Sequence, residues 1–139
     1  NSKGVYAVIM RYREGRVLIY VYRRAKLLHD FTGTEVRRFL KKFGYEGKNL
    51  QEMLEQLSQR LCASDSFPHE IGLFLGYPIE DVKDFIKNEG RNCKLAGTWK
   101  VYHDEQNARK TFCKFKKCTD IYCQMLGKGT PLRRLTVAG

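Results

Sequence analysis

Two runs near the N-terminus, VYAVIMRY at 5–12 and VLIYVY at 17–22, are apolar at almost every position and rich in β-branched and aromatic side chains, which predicts strands. Arg13-Glu14-Gly15-Arg16 between them supplies a turn glycine, so the pair reads as a hairpin. A strand with one wet face alternates apolar and polar positions. These two do not, so both faces are expected to be covered, by helices or by a partner chain. Covering by a partner would make an oligomer through the hairpin. The expected fold class is therefore α/β or α+β, a small antiparallel sheet seeded by the N-terminal hairpin and covered by about four helices.

From Arg23 the chain becomes basic and then helical. Thr34 is placed to cap a helix showing Val36, Phe39, Leu40 and Phe43 on one side, and Gly44 ends it. Asn49 with Glu52 makes a capping pair for the next helix, whose Leu50, Met53, Leu54, Leu57 and Leu61 follow a 3.6-residue period. That stripe could serve as a partner groove, but core packing is the more ordinary use of such spacing. Ser64-Asp65-Ser66 breaks the pattern before Phe67 to Ile86, two short amphipathic segments around Gly76-Tyr77-Pro78. Pro78 fits the first position of the second segment, with Glu80, Asp81 and Asp84 at its start.

After Gly90, residues 93–102 begin as a loop and become a strand through Trp99, Val101 and Tyr102. Asp104 caps a long helix to about Leu126. Ala108, Phe112, Phe115, Cys118, Tyr122 and Leu126 fall on one side of it, and Arg109, Lys110, Lys114, Lys116 and Lys117 on its flanks and back. Cys118 is expected in the buried face. Gly127 and Gly129 close the helix, and Leu132 to Val137 is expected to return as a short edge strand. The pattern shows no repeat and no interdomain linker.

At 139 residues and 42% hydrophobic, the chain fits a single domain with a real core, and eight Tyr and eight Phe speak against disorder. No apolar run approaches the roughly 20 residues needed to cross a bilayer. The opening Asn-Ser-Lys-Gly does not read as a secretion signal. Cysteines at 62, 93, 113, 118 and 123 form an odd set without framework spacing, which suits reduced thiols in a cytoplasm. A formal charge of +11 favours an acidic partner: nucleic acid, a phosphorylated ligand, an acidic protein or an anionic membrane face. Charge alone does not choose among them, and a solvated basic surface would look the same.

The run FPHEIGLFLGYPIEDVKDFI, followed by CK, GTWKVY, an Ala/Phe helix with KKCT and a terminal LRRLTVA, resembles a bacterial family found mainly in anaerobic Gram-positive organisms. This is the domain-of-unknown-function family thirty-seven ninety-three, and the resemblance covers essentially the whole chain. It implies a shared fold and points to His69, Glu70, Cys93, Lys94, Trp99, Lys100 and Cys118 as the matching positions. It also implies a further N-terminal segment with its own cysteine, which this chain is expected to lack. Family members near flavodoxin and ferrous-iron transport genes imply a link to iron or redox physiology, but no established reaction.

Four constellations carry candidate chemistry. Gly72, Gly76 and Val82 have helix-turn-helix spacing, which would make residues 69–88 a nucleic-acid reader. Against this, Glu80, Asp81 and Asp84 open the would-be recognition helix and would repel phosphates. Cys93 beside Lys94 and near Arg91 is a candidate nucleophile or redox thiol, with His69 as base and Glu70 orienting the imidazole. The plainer alternative is a structural cysteine and a histidine bonded near a helix start. Cys113, Cys118 and Cys123 recur every five residues and so point in different directions on a helix, and no spacing marks a metal site. No motif names a cofactor. The fourth constellation is an anion site. Lys94, Trp99, Lys100, Tyr102, Arg109, Lys110 and Lys114 gather cations and aromatic rings that could clamp a phosphate and stack a flat ring. The leading expectation is thus a basic cytoplasmic binding or accessory protein for an anionic ligand or acidic redox partner. A thiol-dependent enzyme and a helix-turn-helix reader are the alternatives.

Overall fold

A computed structural model describes residues 2–137. Val5–Arg13 (β1) and Arg16–Arg23 (β2) pair antiparallel across the turn Glu14-Gly15, with Ile9 opposite Ile19 and Tyr6 opposite Tyr22. The register shifts between Ile9 and Arg11, which leaves Met10 as an extra residue on β1. Met10 is buried, and Val8, Leu18, Tyr20 and Tyr22 pack beside it on the inner face. The helices are Arg24–Asp30 (α1), Thr34–Lys41 (α2), Leu50–Ala63 (α3), Ile71–Phe74 (α4), Ile79–Lys87 (α5), Glu105–Gly127 (α6) and Leu132–Leu135 (α7). Between α5 and α6 lies a second small antiparallel ribbon, Leu95–Ala96 (β3) and Lys100–Val101 (β4). The class is α+β, with more helices than the pattern predicted.

The core forms where the inner face of the hairpin meets α3. Asn49 caps α3 by accepting the Glu52 N–H (3.0 Å), and the Glu52 carboxylate accepts from Asn49 Nδ2 and the Lys48 N–H, both at 2.8 Å. Leu50, Leu54, Leu57 and Leu61 are all buried, so the stripe is core and not a groove. Leu40, Phe31, Leu73, Phe74 and Val82 complete the cluster. Between α4 and α5, Gly76 takes a φ of 77°, and the Tyr77 N–H returns to the Gly72 carbonyl (2.9 Å). Gly72 is there because a Cβ would sit 2.9 Å from Val82 Cγ2.

Several expectations are corrected. Helical geometry in α2 begins at Thr34 itself, so Gly33 occupies the cap position and no side-chain cap bond forms. Pro78 likewise precedes α5 as its cap residue, one position earlier than expected. The chain's own helices cover the hairpin on one face only: in the single chain Ile9, Tyr12, Val17, Ile19 and Val21 remain exposed. Hydrophobicity records a preference for burial, and one layer of helices satisfied only half of it.

The long helix starts as expected, with Asp104 accepting the Asn107 N–H (3.2 Å). Ala108 is buried and Phe112 half-buried, but Phe115, Cys118, Tyr122 and Leu126 are exposed. Cys118 therefore does not pack in the interior. A helix of 23 residues is about 35 Å long and outruns the body on which its first turns rest. Finally, Leu132 to Val137 is no edge strand. Pro131 leads into the single turn α7, with Leu135 buried, because a proline's fixed φ suits a helix start. The Lys3 ammonium donates to the carbonyls of Arg133 (2.6 Å) and Thr136, and Arg23 donates to the Val137 carbonyl (2.8 Å), which ties this end to the hairpin. Among the described residues, no helix is long and apolar enough to cross a membrane.

Candidate binding cleft

The loop entering α4, the inner side of α5 and the β3–β4 ribbon enclose a cleft of about 290 Å³. Phe67, Tyr77, Phe85 and Trp99 form its aromatic walls, and His69 and Lys100 stand among the lining residues as its basic groups. The volume is at the low end of the ~300–1,000 Å³ of small-molecule sites, which is enough for one fused ring system and too little for a dinucleotide.

Asp81 builds this cleft, although in sequence it looks like an ordinary acid at a helix start. It is buried and accepts three hydrogen bonds, from Trp99 Nε1 (2.8 Å), the Tyr102 N–H (2.8 Å) and the His103 N–H (2.9 Å). These bonds clamp the β3–β4 ribbon onto α5. With its hydrogen bonds made inward, Asp81 is a positioning group. The Trp99 indole is stacked on Tyr77 (centroids 5.2 Å apart, planes at 29°) and meets the edge of Phe112 (4.6 Å, 77°). Phe112 can reach it because Gly97 lies under its ring, where an added Cβ would stand 2.2 Å from Phe112 Cε2.

The His69 ring meets Phe85 edge-on, 5.1 Å between centroids, and has no hydrogen-bond partner among the described residues. Lys100 Nζ donates to the Gly90 carbonyl (2.5 Å) and lies over the Phe85 ring at 5.8 Å. An ammonium has three donors, so two remain for a ligand. Burial raises the Tyr77 phenol above its ordinary value, so it lines the cleft as a neutral hydroxyl.

The structure brings together three of the residues singled out in the sequence, His69, Trp99 and Lys100, and disperses the others. Glu70 turns away from His69 into the core, where its carboxylate accepts from Arg60 Nε (2.6 Å) and the Tyr45 hydroxyl (3.1 Å). Cys93 does not line the cleft. It sits near Tyr102, whose phenol is raised first by burial and then by this thiol and by Asp84 and Asp81. Tyr102 is buried, and its hydroxyl donates to the Arg91 carbonyl (2.9 Å). Arg109 is paired with Glu105 (2.6 and 2.9 Å). Lys94, Lys110 and Lys114 are exposed and lie outside the cleft lining.

The helix-turn-helix spacing is realised as the Gly72–Val82 contact, yet α4 is a single turn and α5 is engaged along its length. Asp81 is buried, Asp84 meets His103 Nε2 (2.7 Å), and Lys83 pairs with Glu35. Among the described residues, no three His, Cys, Asp or Glu side chains gather as metal ligands would. Sequence reasoning missed Asp81, Tyr77, Phe67 and Phe85 as cleft builders. The available signal was the cluster of aromatic residues on both sides of Pro78.

Fold and cleft together define a small α+β protein with a preformed aromatic cleft. The family model described as "Protein of unknown function (DUF3793)" matches residues 1–136, and the chain belongs to that family. No curated protein and no solved structure matches it.

Proposed function

We propose that the protein is a binding module whose cleft receives a flat apolar group carrying an anionic substituent. The carrying observation is that the unpartnered His69 ring and Lys100, both in contact with Phe85, line an otherwise aromatic cleft. The rings supply apolar surface for a flat group, and two nitrogen donors select its negative end. The net charge of +11 favours the approach of such an anion. The five free cysteines support placing the module in a reducing, cytoplasmic compartment. A Cys93 and His69 enzyme is not favoured, because only His69 lines the cleft.

Trp99 is the chain's one tryptophan, so its emission reports directly on the cleft. Titration with naphthalene-2-carboxylate is expected to change Trp99 emission saturably, and 2-naphthalenemethanol, which lacks the charge, to bind at least about tenfold more weakly, the effect of one charge-assisted bond. His69→Ala should remove most of that difference. Equal binding of both compounds, or discrimination that survives His69→Ala, overturns the reading.

A further inference from the structure

On the hairpin, the side chains of Ala7, Ile9, Tyr12, Val17, Ile19 and Val21 share the outer face, as their cross-strand pairing requires: Ala7 with Val21, Ile9 with Ile19, Tyr12 with Val17. These six side chains are uncharged, Arg23 opposite Val5 closes the face at one end, and the five larger members are 46–71% exposed. Three of the ribbon's four arginines are engaged elsewhere, and the fourth, Arg16, sits at the turn opposite Arg13. Arg11 donates to the Leu61 carbonyl (3.0 Å), Arg13 pairs with Asp65 and Glu14, and Arg23 donates to the carbonyls of Lys3 (2.9 Å) and Val137. Natural sheets commonly use such cations to guard an exposed surface. Here they leave it bare.

We propose that a second copy of this chain covers that face, outer sheet against outer sheet, in a two-fold dimer. The inference is independent of the cleft reading. Three features favour a second copy over an acidic partner. The middle of the patch carries no charge and Arg23 at its end is turned to backbone carbonyls, so the patch offers little for a carboxylate to pair with and lets two basic chains meet without burying a free cation. A sheet face packed on a copy of itself is related to it by a two-fold axis, so the same patch serves both sides. Six side chains, five of them 46–71% exposed, set face to face on both copies offer an area on the order of the ~1,000 Å² that a specific interface needs.

The sign of the salt dependence separates the two occupants. Chains of +11 each repel, so raising salt screens the repulsion and tightens an apolar dimer, whereas it loosens a complex held by opposite charge. Sedimentation velocity from 1 to 200 µM, with reductant to keep the exposed cysteines free, is expected to show a reversible dimer that tightens between 50 and 500 mM NaCl. Ile9→Glu should weaken it at least about thirtyfold, the loss seen at interface hot spots. Ile19→Thr, which keeps a β-branched residue in the strand, serves as the gentler second variant and should weaken it measurably with an unchanged circular dichroism spectrum. Leu126→Glu, on the exposed side of α6, should leave it unchanged. A chain monomeric to 200 µM, a dimer that loosens with salt, or one dissolved by Leu126→Glu but not by either hairpin variant overturns the proposal.

Discussion

Tyr45 shows how single residues far apart in sequence lock the core around a charge. Its hydroxyl donates to Glu70, which is fully buried, and Arg60 completes the group through its Nε and by lying over the rings of Phe43 and Tyr45 at 5.9 and 5.8 Å. Burial, followed by the Glu70 charge and hydrogen bond, holds the Tyr45 phenol well above its ordinary value of 10.0. Burial does the same for Tyr20, whose hydroxyl donates to the Phe74 carbonyl. Above about pH 10 the unfolded chain releases these protons while the folded chain keeps them, so the contribution present below pH 10 is lost as pH rises further. Urea midpoints at pH 8 and 10.5 should therefore fall on going alkaline, and less so in Tyr45→Phe, at a cost of about 1 kcal/mol at pH 8 for the lost bond. An equal alkaline drop in both proteins would remove Tyr45 from this account. The pairing of His69 with Glu70 in sequence suggested an oriented imidazole, but successive residues entering a helical turn point apart, one to the cleft and one to the core.

At the scale of elements, the join between α6 and the β3–β4 ribbon turns on Gly97. The Phe112 ring occupies the space of the missing Cβ and through it reaches Trp99. Gly97→Ala is expected to destabilise the protein by about 1–3 kcal/mol, the usual cost of overpacking, and to shift Trp99 emission as Phe112 is displaced. Gly127→Ala is the matched control. A Cβ there meets nothing within 4 Å, so it should be neutral or stabilising by up to ~1 kcal/mol. Thermal melts of the two variants that coincide would contradict the close approach. The α3 cap and its leucine stripe were legible in the sequence because both are local: one hydrogen-bonding residue and a fixed period. The α4–α5 contact was half legible. Gly72 and Val82 gave the spacing, while nothing local showed that α5 would spend Asp81 on three donors from a ribbon about twenty residues onward.

Across the whole molecule, stability should be uneven. Leu57 and Leu61 of α3 are fully buried under the hairpin, whereas from Phe115 to Gly127 every residue of α6 is exposed. Amide hydrogens of α3 should therefore exchange slowest, and those of 115–127 at least about a hundredfold faster, since few buried contacts hold them closed. Comparable protection in both helices would mean that α6 is covered in solution.

By itself, the sequence determined what is local. It contained the hairpin, the capped leucine helix, the long amphipathic helix after Asp104 and the family resemblance over essentially the whole chain. Period, cap chemistry and turn residues act within a few positions, so they can be read along the chain. Tertiary structure decided which apolar faces found partners and which side chains met. It left one side of the hairpin and most of α6 bare, turned Leu132–Leu135 into a helical turn, sent Glu70 inward and set His69, Trp99 and Lys100 around one cleft. The physical reason is that burial and hydrogen-bond satisfaction are shared among elements, so a residue's hydrophobicity or charge states what it needs, and only the packed chain supplies the partner.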